Sequence, residues 1–476
     1  MKRNHDNAVG ISREEILNIN SSAIIFDMHI DPLVQATLFG YEIEKEHSLD
    51  WKPEFWKNRW AWVLFREIVY HDCNNPLFNH VDLFRMRRGG YNGAAFGMVC
   101  SPDATDILIN IFSTLDIFEK MDIEVDAETI GENFEKSGLS KWLAAIWTSN
   151  KGALANQLAK FHELVKDESF IQAKTPEDVY QAKEDSKIAG FPGVEGVHCL
   201  QGSQEEQFRQ IETLFNDGGV RYITLHHLTG NDAGECGYCP LAPTDEETCL
   251  KEFGKQVVRK MHQVGMMVDL AHTNKGGILD ACAVQDRLNE EIRKINPGEE
   301  HLSIPLIASH TACRAAFEEI NSNNGIKLED YSLRKQHAYF RGLHEASISA
   351  IARTGGVIGV MLSPFSLRGE HKGGLEDVAK HVLKIKEIID DDTECAFKGE
   401  DCIAFGSDFD GWIPSIPTGM KDASSLGLLT EALLKAKLHS DVIKKMYGQN
   451  FLRAWGDALK AAEKLRALGL TGETQK

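Results

Sequence analysis

Positive charge is what this sequence has least of: 52 lysines and arginines stand against 71 aspartates and glutamates, a formal net charge of -19 at pH 7. Nucleic acids and anionic membrane surfaces select for clusters of lysine and arginine. None occurs here, so neither is an expected partner. Long apolar runs are missing as well. No stretch approaches the length that crosses a bilayer, and Met1-Lys2-Arg3-Asn4-His5-Asp6 leads into polar residues where a secretion signal needs an apolar segment. The last residues, Thr471 to Lys476, carry none of the hydrophobic tail that a lipid-anchor signal needs. A cytoplasmic protein with no evident membrane anchor is the expectation. Ten cysteines in 476 residues are too dilute for a disulfide framework, and most are expected to be buried thiols. No Pro/Gly/Ser-rich linker, internal repeat or low-complexity tract divides the chain, which favours a single domain over 1–476.

What is present is a series of short apolar, β-branched-rich runs, too continuous for half-exposed strands and too short for typical helices. Eight can be picked out: Ala23 to Phe26, Ala94 to Cys100, Ile188 to Val194, Tyr222 to Leu225, Met266 to Leu270, Ile304 to Ala308, Gly356 to Met361 and Cys402 to Phe405. Most are separated by amphipathic helical patterns. Eight buried strands alternating with helices predict an α/β fold of the (β/α)8 TIM-type barrel class, favoured over an open sheet. Three insertions interrupt it, near 41–83, 105–183 and 316–340. The first holds Trp51, Trp56, Trp60 and Trp62, read as an aromatic cluster packing the insertion onto the barrel, with a substrate lid or subunit contact as the alternative. The second is helical, with Leu154, Leu158, Phe161 and Leu164 at helical spacing. The third is polar, Asn-rich at its start, and reads as a loop leading into a helix.

Side chains just beyond the carboxyl ends of parallel strands line the ligand site of such folds. Two runs end there in histidine, Val268-Asp269-Leu270-Ala271-His272 and Leu306-Ile307-Ala308-Ser309-His310, and neutral imidazoles so placed suit Zn2+. After the first run, His29 and Asp31 share a face of an extended segment and can point toward one ion. Glu195 closes the third run, where a buried carboxylate is costly unless paired or metal-bound. Its two oxygens could bridge two ions about 3.5 to 4 Å apart. The fourth run gives His226-His227, of which alternation lets only one enter the barrel mouth, and spacing does not choose. The last leads into Gly406-Ser407-Asp408-Phe409-Asp410-Gly411. There Asp408 could ligate metal or carry a proton, and Asp410-Gly411 reads as turn chemistry.

The segments Asp27-Met28-His29-Ile30-Asp31, Val194-Glu195-Gly196-Val197-His198, Arg221 to His227, Val268 to Thr273, Ala308 to Ala312 and Phe405 to Gly411, in that order, resemble the membrane (renal) dipeptidase family of zinc metallopeptidases. The resemblance runs from about Phe26 to Ala454. It implies a (β/α)8 barrel with a binuclear centre of two Zn2+ ions, a dipeptide substrate cleaved through a metal-bridging hydroxide, and a homodimer. By position, His29 and Asp31 would hold one ion, His272 and His310 the other, and Glu195 would bridge them. His227 would contact the substrate carbonyl oxygen, Asp408 would handle the proton, and Arg341 would grip the substrate carboxylate.

Three departures concern the substrate. The loop Leu228 to Cys239 differs from the usual family loop, Ile320-Asn321 stands nearest to where relatives carry an Arg-Asn pair, and Leu362-Ser363-Pro364-Phe365 lacks a tyrosine that some relatives have. Cys236 and Cys239 have C-x-x-C spacing, but with only Cys249 nearby thiols are the expectation over a third metal site. The alternatives are a dinuclear amidohydrolase or lactonase, or a non-catalytic binding protein on the same scaffold.

Overall fold

The computed structural model describes residues 11–48, 51, 80–99, 150–228, 230–237, 248–298, 301–411, 413 and 415–470. Its strands are β1 (Phe26–Asp31), β2 (Gly93–Val99), β3 (Phe170–Gln172), β4 (Ile188–Glu195), β5 (Tyr222–Thr224), β6 (Met267–Asp269), β7 (Leu306–Thr311), β8 (Val357–Val360), β9 (Ile403–Phe405) and β10 (Phe409–Asp410). They pair in the order β10-β1-β2-β4-β5-β6-β7-β8-β9, every pair parallel. β9 and β10 are two pieces of one barrel strand broken at Gly406-Ser407-Asp408; the first pairs with β8 and the second with β1, so the ring closes. Across the break Asp408 N donates to His29 O (3.0 Å) and Ser407 N to Asp27 Oδ1 (2.8 Å). A side chain at Gly406 would overlap the Ser309 carbonyl, which explains the glycine at the break. The chain is an α/β barrel of the expected class.

Apolar side chains alternate between two sets, as the period of two requires. Tyr222, Met267, Ile307, Val357 and Ala404 belong to an inner cluster with Phe26, Met28 and Phe191. Their neighbours Ile223, Val268, Ala308, Ile358 and Ile403 pack outward in the larger core shared with the helices. From the helix Asn450–Ala467, Phe451 stacks on Phe26 and Phe191 and Trp455 packs edge-on against Phe191, and together they fill the amino-terminal end of the barrel. The surrounding helices start on side-chain caps. Ser203 and Glu206 form a capping box before Gln204–Asn216, and Asn274 accepts from Gly277 N before Lys275–Ile295. Among the described residues, no helix is long and apolar enough to cross a membrane.

Two strands differ from the sequence expectation by more than one residue at an end. β1 begins where Ala23 to Phe26 was to end, and β7 extends through His310 and Thr311. Polar residues read as strand exits lie inside both strands, buried, because the barrel mouth gives them partners. Each strand also carries a register irregularity, between Asp27 and Ile30 in β1 and between Ala308 and Thr311 in β7. Of the three insertions, residues 52–79 and 105–149 lie outside the described residues, and Trp56, Trp60 and Trp62 with them. Trp51 packs edge-on against Tyr41 and His47. The described part of the second insertion holds the helix Asn150–Leu164, the strand β3, which adds alongside β4 outside the ring, and the helix Pro176–Glu184. The third opens as helix rather than loop, Arg314–Asn323, and ends in the helix Leu333–Arg341.

Candidate metal centre

β1 delivers His29 and Asp31, the carboxyl end of β4 delivers Glu195, and β7 delivers His310. His227 and His272 follow β5 and β6 by three residues each, and Asp408 sits in the break between β9 and β10. The register irregularities fall at His29 and His310. A bulge lets neighbouring residues aim to one side, and here it turns both imidazoles into the mouth. Between His226 and His227 the structure chooses. His226 is turned to Thr273 Oγ1 (3.1 Å), and His227 Nε2 stands 3.1 Å from Glu195 Oε2.

All eight expected site residues meet. His29 Nε2 lies 3.2 Å from Asp31 Oδ1, 3.2 Å from Glu195 Oε1 and 3.8 Å from Asp408 Oδ1. Glu195 Oε1 is also 3.5 Å from His310 Nε2 and 3.8 Å from His272 Nε2. Among the described residues, three overlapping groups have ligand atoms within 4.8 Å of one another: His29-Glu195-His310, Glu195-His227-His272 and His29-Asp31-Asp408. Arg341, last in its helix, places Nη2 3.0 Å from His272 Nε2 and 3.1 Å from the His310 carbonyl. By contrast Asp410 faces away from the centre. Its carboxylate accepts from His80 N (2.7 Å) and Val81 N (3.3 Å), so it ties the segment before the helix Leu83–Gly89 to the barrel.

Burial sets the charge states. It holds His227, His272 and His310 well below the usual imidazole range, with the Arg341 charge adding to the effect, so all three are neutral and able to ligate. Burial also pushes Glu195 well up and Asp408 to about 7, against the opposing pull of His29. His29 is disfavoured as a cation by burial, but Asp31 and Glu195 outweigh this and raise it to about 10. A proton on His29 and a cation beside it would serve the same carboxylates. The two compete.

The donor set fits a metal. His29 Nε2, Asp31 Oδ1 and Glu195 Oε1 are buried, converge on one space and make no hydrogen bond. Buried polar atoms without partners are costly, and nitrogen and carboxylate oxygen in this number suit a divalent ion. The sequence comparison then decides the family: residues 13–468 match the family model described as membrane dipeptidase (peptidase family M19).

The chain belongs to the membrane dipeptidase family.

This is a family of metallopeptidase hydrolases. Among its relatives, dipeptidase tcpJ of Claviceps purpurea is 25% identical over 297 residues, covering 62% of this chain and 57% of the relative. The chain thus spans little more than half of that protein's length. Dipeptidase verJ of Clonostachys rogersoniana is 24% identical over 401 residues, 84% of this chain and 81% of the relative. A metallo peptidase of Rhodobacter sphaeroides, solved with a phosphinate mimic of the dipeptide L-Ala-D-Ala, shares the fold with a TM-score of 0.57 at 20% identity, over 92% of this chain and 100% of that one.

Sequence reading missed three residues of this membrane dipeptidase homologue that support the centre: Tyr222, whose hydroxyl is 2.7 Å from His29 Nδ1, and the pair Asp269 and Ser309 behind His310. A carboxylate inside the apolar run Met266 to Leu270 was the available signal.

Proposed function

We propose that the chain is a zinc-dependent dipeptidase whose centre holds two ions: His29 and Asp31 on one, His272 and His310 on the other, and Glu195 between them. The observation that carries this reading is the convergence of buried nitrogen and carboxylate atoms that lack hydrogen-bond partners. When bound, two zinc ions would lower the pKa of a shared water and polarise the scissile carbonyl. The chain's own residues supply the rest. Asp408, raised to about 7 by burial, exchanges a proton near neutral pH and would pass it to the departing amine. His227, kept neutral by burial, would hydrogen-bond the carbonyl oxygen as charge develops on it. Arg341 has Nη1 buried without a hydrogen-bond partner, and its guanidinium would fix a free carboxylate bidentately. A short substrate with a free C-terminus follows from that contact. The dipeptide mimic bound by the Rhodobacter sphaeroides peptidase supports the same substrate class.

The test is hydrolysis of a panel of L,L and L,D dipeptides, N-acyl amino acids and lactones, read as amine release for the first two classes and as acid release for the lactones, with and without chelator. Dipeptides should be cleaved, chelator should abolish turnover and Zn2+ should restore it. Asp408→Asn should keep its metal and lose about 100-fold or more in kcat. Turnover confined to lactones or N-acyl amino acids would contradict the dipeptide assignment, and full activity in Asp408→Asn would remove the proton role.

A further inference from the structure

Asp269 closes β6 with its side chain fully buried, and both its oxygens are occupied by donors. Oδ1 accepts from Ser309 N (2.8 Å) and Ala271 N (3.1 Å); Oδ2 accepts from Thr224 Oγ1 (2.7 Å) and Ser309 Oγ (2.7 Å). Ser309 has a single hydroxyl proton, and the carboxylate takes it. The Ser309 oxygen must therefore accept in its other bond, 2.8 Å from His310 Nδ1. That places the proton of neutral His310 on Nδ1 and leaves the Nε2 lone pair facing Glu195 and His272. The irregularity in β7 is what allows the arrangement, because it sets the consecutive residues Ser309 and His310 against one interior. His272 has no equivalent support, since its Nδ1 is buried without a hydrogen-bond partner.

We propose that Asp269, acting through Ser309, is a positioning residue that fixes the tautomer and ring orientation of His310 for metal binding. The inference rests on the metal centre proposed above. Groups that orient a ligand histidine govern metal affinity without touching the ion. The direction of the relay can also be reversed. In Asp269→Asn the two backbone N–H donors pin the amide oxygen at the Oδ1 position, so the NH2 group takes the place of Oδ2. It then donates to Ser309, Ser309 donates to His310 Nδ1, and the ring proton moves to Nε2, where ligation is blocked.

The experiment is a Zn2+ titration of the metal-stripped full chain against a chromophoric chelator, for wild type, Ser309→Ala, Asp269→Asn and Thr224→Val. Thr224→Val removes one donor from the same carboxylate and leaves three, with no part in the bond to His310. Circular dichroism and melting of the stripped proteins control for folding. Ser309→Ala and Asp269→Asn should each weaken Zn2+ binding about 10- to 100-fold, and Thr224→Val should stay within about threefold of wild type, since it leaves the relay to His310 intact. Wild-type affinity in Ser309→Ala or Asp269→Asn would overturn the relay while leaving the proposed function standing. Equal weakening in Thr224→Val would overturn it too, because the effect would then belong to burial of the carboxylate. A wild-type protein that binds no Zn2+ would overturn the metal centre and the relay together.

Discussion

His272 and Asp408 hold left-handed backbone, at φ 64 and 61, which side chains with a β-carbon adopt at a cost of about 1 kcal/mol or more each. Both aim a functional group from a strand end into the mouth, so the strain is spent on direction. Space is set residue by residue as well. A side chain at Gly97 would overlap Asp31 Oδ1 and come within 2.7 Å of His29 Cε1. Gly97→Ala should leave the barrel folded and weaken Zn2+ at least about tenfold, a loss of the size seen when a ligand's orientation is disturbed, read by the same chelator competition. His262 offers a test far from the centre. Burial holds it at about 3, below the 6.5 of an unfolded chain, and its Nε2 is without a hydrogen-bond partner. The unfolded state therefore binds the extra proton between pH 6.5 and 3, and stability falls as pH drops through that window, by about 1.4 kcal/mol per unit. His262→Met should remove this slope. Relative to wild type, the variant should be about 2 kcal/mol better off at pH 5 than at pH 7 in urea unfolding.

At the scale of elements, the excursion from β7 to the helix Leu333–Arg341 is closed at its neck. Arg314 N donates to Leu343 O (3.1 Å), Leu343 N to Ala312 O (2.8 Å) and Arg314 Nε to Gly342 O (2.8 Å). Above the neck, Phe317, Tyr331, Ala338 and Phe365 form an apolar cluster of their own. This is how Arg341 reaches the centre from an insertion. Tyr331→Ala should cost the excursion about 3 kcal/mol. Its reading is a raised KM for dipeptides with metal content unchanged; loss of metal instead would show that the excursion supports the ligands and not only the arginine. The same elements mark what could be read from sequence. Strand number, the helices between and the ends bearing Glu195 and His272 follow from apolar runs of fixed period. The exits of β1 and β7 do not, because His29, Asp31 and His310 are polar residues kept inside strands by partners far away in the chain. Asp269, Ser309 and Tyr222 escaped for the same reason. Their role depends on which strand lies beside which.

For the whole molecule, the barrel gathers residues from His29 to Asp408 into one mouth, while Phe451 and Trp455 fill the opposite end. One end is dry and packed, and the other concentrates Asp31, Glu195 and Asp408 among four histidines. An ion held there binds the folded barrel and not the unfolded chain, whose ligands are far apart in sequence, so the fold itself should gain from metal. Eight alternating runs made the closed ring legible; β3, added outside it, was hidden because three residues at the end of a helical segment carry no period of their own. The most direct test is the number of ions held. Metal-stripped protein dialysed against Zn2+ and then analysed should carry about two ions per chain, with Glu195→Gln falling below that, as expected for a bridging carboxylate. Fewer than about one ion per wild-type chain, or an undiminished count in Glu195→Gln, would contradict a two-metal centre bridged by that glutamate.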